Sequence, residues 1–436
     1  MKPVRIALLG CGTVGEGVVR LLRSNAAAYA NKVGVPLELA GVADRSLKPI
    51  ASLGLTSKLI TRDAESLIVR DDVDIVVELF GGIEPAGSLI LKALAAGKDV
   101  VTGNKALLAE HGGEVFREAG KRGLAVGFEA SVGGGVPIIR TLRDALAGDR
   151  QRAVYGIVNG TCNSILTKMT DEGIEFKAAL TDAQEKGLAE KANPGLDIEG
   201  HDSAHKLCLL VTLAFGTLLT PEHVYTEGIT AITQADIAYA RELGFTIKLL
   251  AIAKDDDGAI EARVHPTMLP SRHLLASVGG AFNAIYIHGE ALGWTMYSGL
   301  GAGQLPTATA VMADILEIAR YRVTDGAKRA HALGLPVKLV RRASVRPMDD
   351  VVCEYYLRFA ARDKPGVLGA IASVLGKRGI SIASVIQQGR GAERTVPVIM
   401  RTHESPERNL KRALGEIRRR AIVDEAPAFI RIEEKL

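Results

Sequence analysis

The sequence has 436 residues, more than one ordinary core accommodates, so two or three domains are expected. Apolar residues make up 47% and charged residues 24%, and a formal charge of +4 without any Lys/Arg block interleaved with aromatics argues against a nucleic-acid binder. The apolar start, 4–9, is too short for a signal peptide, and the longest apolar stretch, 207–219, falls short of a bilayer span.

The first third alternates short β-branched runs with helical patterns. Strands are expected over 4–9, 37–43, 75–78, 99–102 and 125–128, with helices over 13–25 and 85–96 between them. That alternation is α/β and reads as a doubly wound parallel sheet. The middle third changes character. Helices are expected over 140–146, 180–191 and 203–218, and strands over 154–158, 247–254 and 260–264, an α+β unit. A long apolar-faced helix follows over 307–321. Residues 341–352 mix charge, Ser and Pro and read as a linker. The remainder reads strand 354–361, helix 367–377, strand 380–388, strand 396–402, helix 406–419, strand 429–433, a βαββαβ ferredoxin-like order. The four cysteines, Cys11, Cys162, Cys208 and Cys353, form no Cys-x-x-Cys pair. A cytoplasmic protein with reduced thiols and no membrane partner is the expectation.

Gly10-Cys11-Gly12-Thr13-Val14-Gly15 follows the first strand and opens the first helix. Gly10, Gly12 and Gly15 permit a tight turn there and a close approach of backbone N–H groups to a pyrophosphate, so a Rossmann-type dinucleotide loop is expected. The second strand ends in Asp44-Arg45. Asp favours a free ribose 2′-OH and hence NAD, while Arg favours a 2′-phosphate and hence NADP. Both cofactors stay open, with NADP or dual use favoured.

A nicotinamide enzyme needs no covalent nucleophile, only a group that moves one proton at the reacting oxygen. Lys105, in Val101-Thr102-Gly103-Asn104-Lys105, follows a strand at the end where ligands bind in this architecture. Asp202 and Lys206 are one helical turn apart and share a face. On spacing alone they read as an exposed intrahelical ion pair. Glu129-Ala130-Ser131-Val132-Gly133-Gly134-Gly135-Val136-Pro137 reads as a hinge, a ligand-facing turn, or both.

Taken in order, Leu9–Gly17, Val77–Pro85, Val101–Leu108, Phe128–Pro137, Gly156–Met169, Gly187–Lys206 and Gly301–Met312 resemble homoserine dehydrogenases along almost the whole chain. The resemblance implies NAD(P)-dependent interconversion of L-aspartate 4-semialdehyde and L-homoserine, a step toward threonine, methionine and isoleucine. It implies a nucleotide-binding domain over 1–135, completed by about 305–340, and a substrate and dimerisation domain over 136–304. A linker over 341–353 and a regulatory domain over 354–436 follow. No kinase segment is expected ahead of the nucleotide-binding unit.

The same resemblance makes Lys206 the proton donor and Lys105 a second candidate at the cofactor junction. It makes Asp202 and Glu190 binders of homoserine. Thr13, Val14, Arg45, Gly187 and Gly303 fall on nucleotide-contacting positions. Glu129 and the carbonyls of Val132, Gly134 and Val136 match a structural site for a monovalent cation, usually sodium. Glu190-Lys191-Ala192-Asn193-Pro194 departs from the family's Glu-x-Asp-Pro by Asn for Asp and one extra residue. Arg362-Asp363-Lys364-Pro365-Gly366-Val367-Leu368 and Gly379-Ile380-Ser381-Ile382 resemble an ACT domain, which implies L-threonine as effector and a homodimer or homotetramer. A dimerisation module without ligand is the plainer reading of that unit. Two rivals stand beside this identification, another amino-acid dehydrogenase and a non-catalytic amino-acid sensor. Intact Lys105, Asp202 and Lys206 argue against the sensor.

Overall fold

The computed structural model describes residues 2–46, 53–191, 193–324, 331–387 and 395–436. Ala192, the 325–330 segment and the last residue of the strand expected over 380–388 lie outside the described residues.

Six strands form the first sheet: β1 (Val4–Leu9), β2 (Leu37–Ala43), β3 (Ile60–Thr61), β4 (Ile75–Glu78), β5 (Asp99–Thr102) and β6 (Val126–Gly127). All pairs are parallel, in the order β3-β2-β1-β4-β5-β6. Parallel neighbours require crossovers, and the crossover helices bury both faces. This is why β4 and β5, buried at every residue, show Val-rich runs without alternation. The strand order reverses between β1 and β4, and a crevice opens there at their carboxyl ends. Helix Thr13–Ser24 begins at that crevice. A separate helix, Ala26–Val33, follows it and is closed by Gly34 at φ +92. Helix Gln304–Val323 returns from far along the chain and packs against Thr13–Ser24.

The second sheet starts with Gly293–Leu300, Phe282–Gly289, Gln151–Ile157, Phe245–Asp256 and Ala259–Pro270, all antiparallel. Helices Gly160–Glu172, His201–Phe215 and Gln234–Glu242 pack on it. Several expected elements change here. The helix expected over 180–191 is Phe176–Glu185; the chain leaves it through Gly187 at φ +70, so Glu190 lies on a loop. The helix expected over 203–218 is His201–Phe215, stopped by Gly216 at φ +62. Its last two residues, Thr217–Leu218, pair as a strand with Arg341–Arg342. The helix expected over 140–146 divides into Ile138–Arg140 and a wider π turn, Thr141–Ala145. Among the described residues no helix is long and apolar enough to cross a membrane.

The C-terminal unit follows the expected order: Val352–Arg362, Val367–Lys377, Ile382–Gln387, Thr395–Thr402, Glu407–Arg419 and Ala428–Ile432. Its strands lie fourth-first-third-second. The fourth strand also runs parallel to Ala259–Pro270, through Thr267↔Arg431 and Met268↔Ile432, so one sheet spans both units. Arg431, 1% exposed, seals the junction: it meets Glu407 at 2.7 Å and Glu227 at 2.9 Å. Ser344–Val345 adds a short parallel pairing to Ala259–Ile260, so the stretch between the units is bound along part of its length.

Candidate active site

The glycine loop lies at the β1–β4 crevice with three distinct demands on its glycines. Gly10 has φ +93, and a Cβ there would stand 2.9 Å from the Leu79 carbonyl. A Cβ on Gly15 would stand 2.2 Å from the Gly10 carbonyl oxygen. Around Gly12 nothing lies within 4 Å of the added carbon, and Gly12 and Thr13 are exposed. The first turn of helix Thr13–Ser24 has no side-chain cap, so its first N–H groups, Val14 included, are not taken up by a capping side chain. Two positions close the loop tightly and one leaves room at a helix N-terminus. That arrangement fits a dinucleotide pyrophosphate.

Asp44 faces this loop. Its Oδ2 accepts from the Cys11 N–H at 2.6 Å and its Oδ1 from the Ser46 N–H at 2.8 Å, while Arg45 is exposed beside it. Gly303, φ +125, is exposed at the N-terminus of helix Gln304–Val323, and Gln304 Nε2 donates to Glu16 Oε2 at 3.3 Å. Gly303 therefore lies on the helix neighbouring the loop.

The carboxyl ends of β4 and β5 are tied together beneath the crevice. Glu78, fully buried, accepts from the Thr102 hydroxyl at 2.6 Å and from the Phe80 N–H at 2.7 Å. Asn104 caps helix Lys105–Arg122 by accepting from the Leu107 N–H at 3.1 Å, and its Nδ2 donates to the Gly82 carbonyl at 2.6 Å. These bonds set Lys105 at the first position of its helix.

Lys105 reaches Asp202 Oδ1 at 3.0 Å, across from the other domain, and Lys206 reaches Asp202 Oδ2 at 2.7 Å. Lys206 also donates to the Val158 carbonyl at 2.6 Å. The pair that spacing reads as exposed is nearly buried: the side chains of Asp202 and Lys206 are 7% and 11% exposed. Both belong to helix His201–Phe215, whose first turn is covered by the Val158–Asn159 segment and by Lys105. Burial and the Lys105 charge push the Lys206 ammonium below the ordinary lysine range, against the pull of Asp202. The Asp202 carboxylate holds Lys105 above it. Burial pushes the Asp202 carboxyl up, but the two ammonium groups outweigh it and keep the group ionised. The Asp202 carboxylate thus stands between one lysine held charged and one lysine eased toward its neutral form.

Glu190 is exposed on the 186–191 loop, and Gly187 precedes it. Gln184 Nε2 donates to the Glu190 carbonyl at 3.1 Å, and Thr161 Oγ1 donates to the Leu188 carbonyl at 2.7 Å, which fastens this loop to the start of helix Gly160–Glu172. Among the described residues Glu190 makes no ion pair, so the structure does not join it to Asp202 directly.

Glu129 is buried, and among the described residues it has no ion pair. Its two oxygens accept from the Ile139 N–H at 2.8 Å and the Arg140 N–H at 2.9 Å. Burial pushes its carboxyl up and those two bonds pull it down. Val136 O already accepts from the Ile138 N–H at 2.8 Å. Gly134, φ +51, turns the chain so tightly that a Cβ would stand 2.5 Å from the Gly301 carbonyl. A buried carboxylate and backbone carbonyls such as those of Val132 and Gly134 are hard, oxygen-only donors. They fit a monovalent cation by chemistry.

Two side chains at the centre, Asn159 and Asn283, escaped the sequence reading, and Asp197, from the candidate stretch between Glu190 and Lys206, joins them there. Asn159 touches Asp202, Asp197 comes within its reach, and Asn283 donates to the Val158 carbonyl at 3.1 Å. The signal was available for Asn159, which precedes a helix at a strand end, but not for Asn283.

Residues 137–316 match the family described as homoserine dehydrogenase, residues 10–129 its NAD-binding domain, and residues 355–421 the ACT domain. The homoserine dehydrogenase of Neisseria gonorrhoeae is 43% identical over 433 residues, 99% of each chain. The crystal structure of a homoserine dehydrogenase from Thiobacillus denitrificans superposes with a TM-score of 0.94 at 42% identity, covering 100% of this chain and 99% of that one. A hyperthermophilic archaeal homoserine dehydrogenase in complex with NADPH gives a TM-score of 0.62 at 28% identity, over 72% of this chain and 97% of its own. The dinucleotide loop, the lysine–aspartate–lysine cluster and these matches agree: the chain belongs to the homoserine dehydrogenase family, NAD(P)-dependent oxidoreductases acting on a CH–OH group.

Proposed function

We propose that the chain interconverts L-aspartate 4-semialdehyde and L-homoserine with NADP preferred over NAD, in the synthesis of threonine, methionine and isoleucine. The observation that carries the reading is Asp202 held between Lys105 and Lys206, at 3.0 and 2.7 Å, where the substrate domain meets the nucleotide crevice. Bound nicotinamide supplies or accepts the hydride. Lys206 moves the proton: as an amine it takes the hydroxyl proton of homoserine, and as an ammonium it returns one to the aldehyde oxygen. Its bonds to Val158 and Asp202 occupy two of the three ammonium protons and leave one for the substrate oxygen. Lys105 stays charged and steadies the developing oxyanion and the cofactor end of the site. Asp202 and Glu190 hold the substrate ammonium.

Arg45 supports the preference for NADP, because it offers an exposed guanidinium while both Asp44 oxygens already accept backbone N–H groups. The NADPH complex of the archaeal relative points the same way. Glu129 with the carbonyls of Val132, Gly134 and Val136 holds a structural sodium ion. The ACT unit binds L-threonine at the exposed 362–366 turn, where Gly366, φ +88, leaves the first N–H groups of helix Val367–Lys377 without a side-chain cap. The protein works as a homo-oligomer in the cytoplasm.

The initial rate of nicotinamide reduction with L-homoserine, with NADP and NAD in parallel and with and without L-threonine, tests the reaction, the cofactor preference and the effector. Homoserine-dependent reduction faster with NADP and slowed by threonine is expected. Reduction with another amino alcohol in preference to homoserine would replace the substrate reading.

A further inference from the structure

Asn159 follows strand Gln151–Ile157 and caps helix Gly160–Glu172, its Oδ1 accepting from the Cys162 N–H at 2.8 Å. A cap of this kind needs only a short acceptor, and Ser or Asp serves equally well. The amide end has a second set of bonds. Its Nδ2 donates to Asp202 Oδ2 and to Asp197 Oδ1, each at 2.8 Å. Asn159 is 5% exposed, so water does not replace these bonds. An amide nitrogen carries two protons, and here each carboxylate takes one.

We infer that Asn159 is a positioning residue for the reaction: its amide locks Asp202 and Asp197 at a fixed separation and orientation, so that Asp202 meets Lys206 and the substrate ammonium in a single geometry.

The charges facing Asp202 make this necessary. Lys206 lies on its own helix, Lys105 comes from helix Lys105–Arg122, and Asp197 comes from the short helix Gly195–Ile198. His205, partnered at 3.9 Å by Glu110, stands further out, and the Cys162 thiol donates to the Asp197 carbonyl at 3.1 Å. The two lysines pull on Asp202, while Asp197 repels it. The Asn159 NH2 is the neutral donor that both carboxylates share. Burial pushes the Asp197 carboxyl up and the Asn159 bond opposes it, so the amide also favours the charged form of its partner. Without the amide, each carboxylate loses a buried partner and Asp202 is free to turn with its lysines.

The inference rests on the Asp202–Lys206 assignment proposed above. Asn159→Ser and Asn159→Asp, made in the full chain, separate the two functions of the side chain. Both keep a cap acceptor, so helix Gly160–Glu172 stays capped and the fold intact by circular dichroism, while loss of the buried donor lowers the melting midpoint of each. Asn159→Ser loses only the shared donor; KM for homoserine should rise at least about tenfold while KM for the nicotinamide cofactor stays put. Asn159→Asp adds a third negative charge beside the pair. It should raise KM likewise and move the rise of homoserine oxidation with pH upward by about one unit, because added negative charge keeps the proton on Lys206. Parental kinetics in Asn159→Ser would reduce the residue to a helix cap. A matching rise in both KM values would make the role structural. An unmoved pH profile in Asn159→Asp would also overturn the inference. Absence of any homoserine-dependent rate in the parent protein is a different failure, that of the site assignment on which this one stands.

Discussion

Alanine at Gly12 and alanine at Gly15 should do opposite things, although both fall in one six-residue loop. At Gly15 the new Cβ would lie 2.2 Å from the Gly10 carbonyl oxygen, with the Gly10 carbonyl carbon at 3.1 Å. Carbon–oxygen contacts normally begin at about 3.3 Å, so the loop or the helix must move by about 1 Å. Neither can move freely, since Gly10 is held at φ +93, its N–H bonded to the Ala43 carbonyl at 2.9 Å. Overpacking of this kind costs about 1–3 kcal/mol, which corresponds to a fall of roughly 2–12 °C in the melting midpoint of a domain this size. At Gly12 the new Cβ meets nothing within 4 Å, and φ is −74, so no strain arises. The midpoint should stay put, but the methyl stands where the pyrophosphate must approach, and cofactor affinity should fall about tenfold or more, about 1.4 kcal/mol. Thermal melts of the two variants, with cofactor titrations by nicotinamide fluorescence, read both effects. A Gly12→Ala protein that melts as low as Gly15→Ala, or that binds NADP like the parent, would refute the reasoning.

The two lysines should separate kinetically. Lys206→Met should lower turnover by about 10²–10⁴-fold with the fold intact by circular dichroism. Lys105→Met removes a positive charge that lowers the Lys206 pKa, so the rise of homoserine oxidation with pH should move to higher pH; a shift downward would contradict the assignment. At the junction of the two units, Arg431→Met leaves buried Glu407 with Lys411, at 3.1 Å, in place of its bidentate partner and should cost about 3 kcal/mol in urea denaturation, with partial recovery in Arg431→Met/Glu407→Gln. Lys248, 3% exposed and bonded to the Val278 carbonyl at 2.7 Å, is pushed down to about 8 by burial. The unfolded chain keeps that proton up to about pH 10.4, so stability should rise with pH between these values and the rise should vanish in Lys248→Met, as melting temperatures from pH 7 to 10 will show.

Much of the nucleotide sheet is legible in the sequence because its strands are short, buried and bounded by turn residues. The expected bounds 4–9, 37–43, 75–78 and 99–102 coincide with β1, β2, β4 and β5. The second sheet is less legible. Its long hairpin turns through Asp257 and Gly258, both at positive φ, and Asp-Gly is a recognised two-residue hairpin signal, yet Ala259–Pro270 extends well past the stretch expected over 260–264. The hairpin Phe282–Gly289 and Gly293–Leu300 went unseen. Gly293–Leu300 is an edge strand with one bonded neighbour, and exposed Trp294, Ser298 and Leu300 blur the burial pattern that marks a strand. The union of the two sheets through Thr267↔Arg431 has no local signal at all, because its partners are separated by most of the C-terminal half.

The site divides along the same line. Spacing places Asp202 and Lys206 on one helical face but says nothing about what covers that face. An exposed intrahelical pair contributes a few tenths of a kcal/mol and leaves both groups near their ordinary pKa. The same pair beneath Val158, Asn159 and Lys105 has one lysine eased toward neutrality and a carboxylate held ionised by its two ammonium partners. The chemistry therefore comes from segments that reach the helix from elsewhere in the chain. Lys105 lies 97 residues before Asp202 and Asn159 lies 43 before it. Periodicity gives the helix and its face; only the end of one strand and the start of another domain's helix turn that face into an acid–base site.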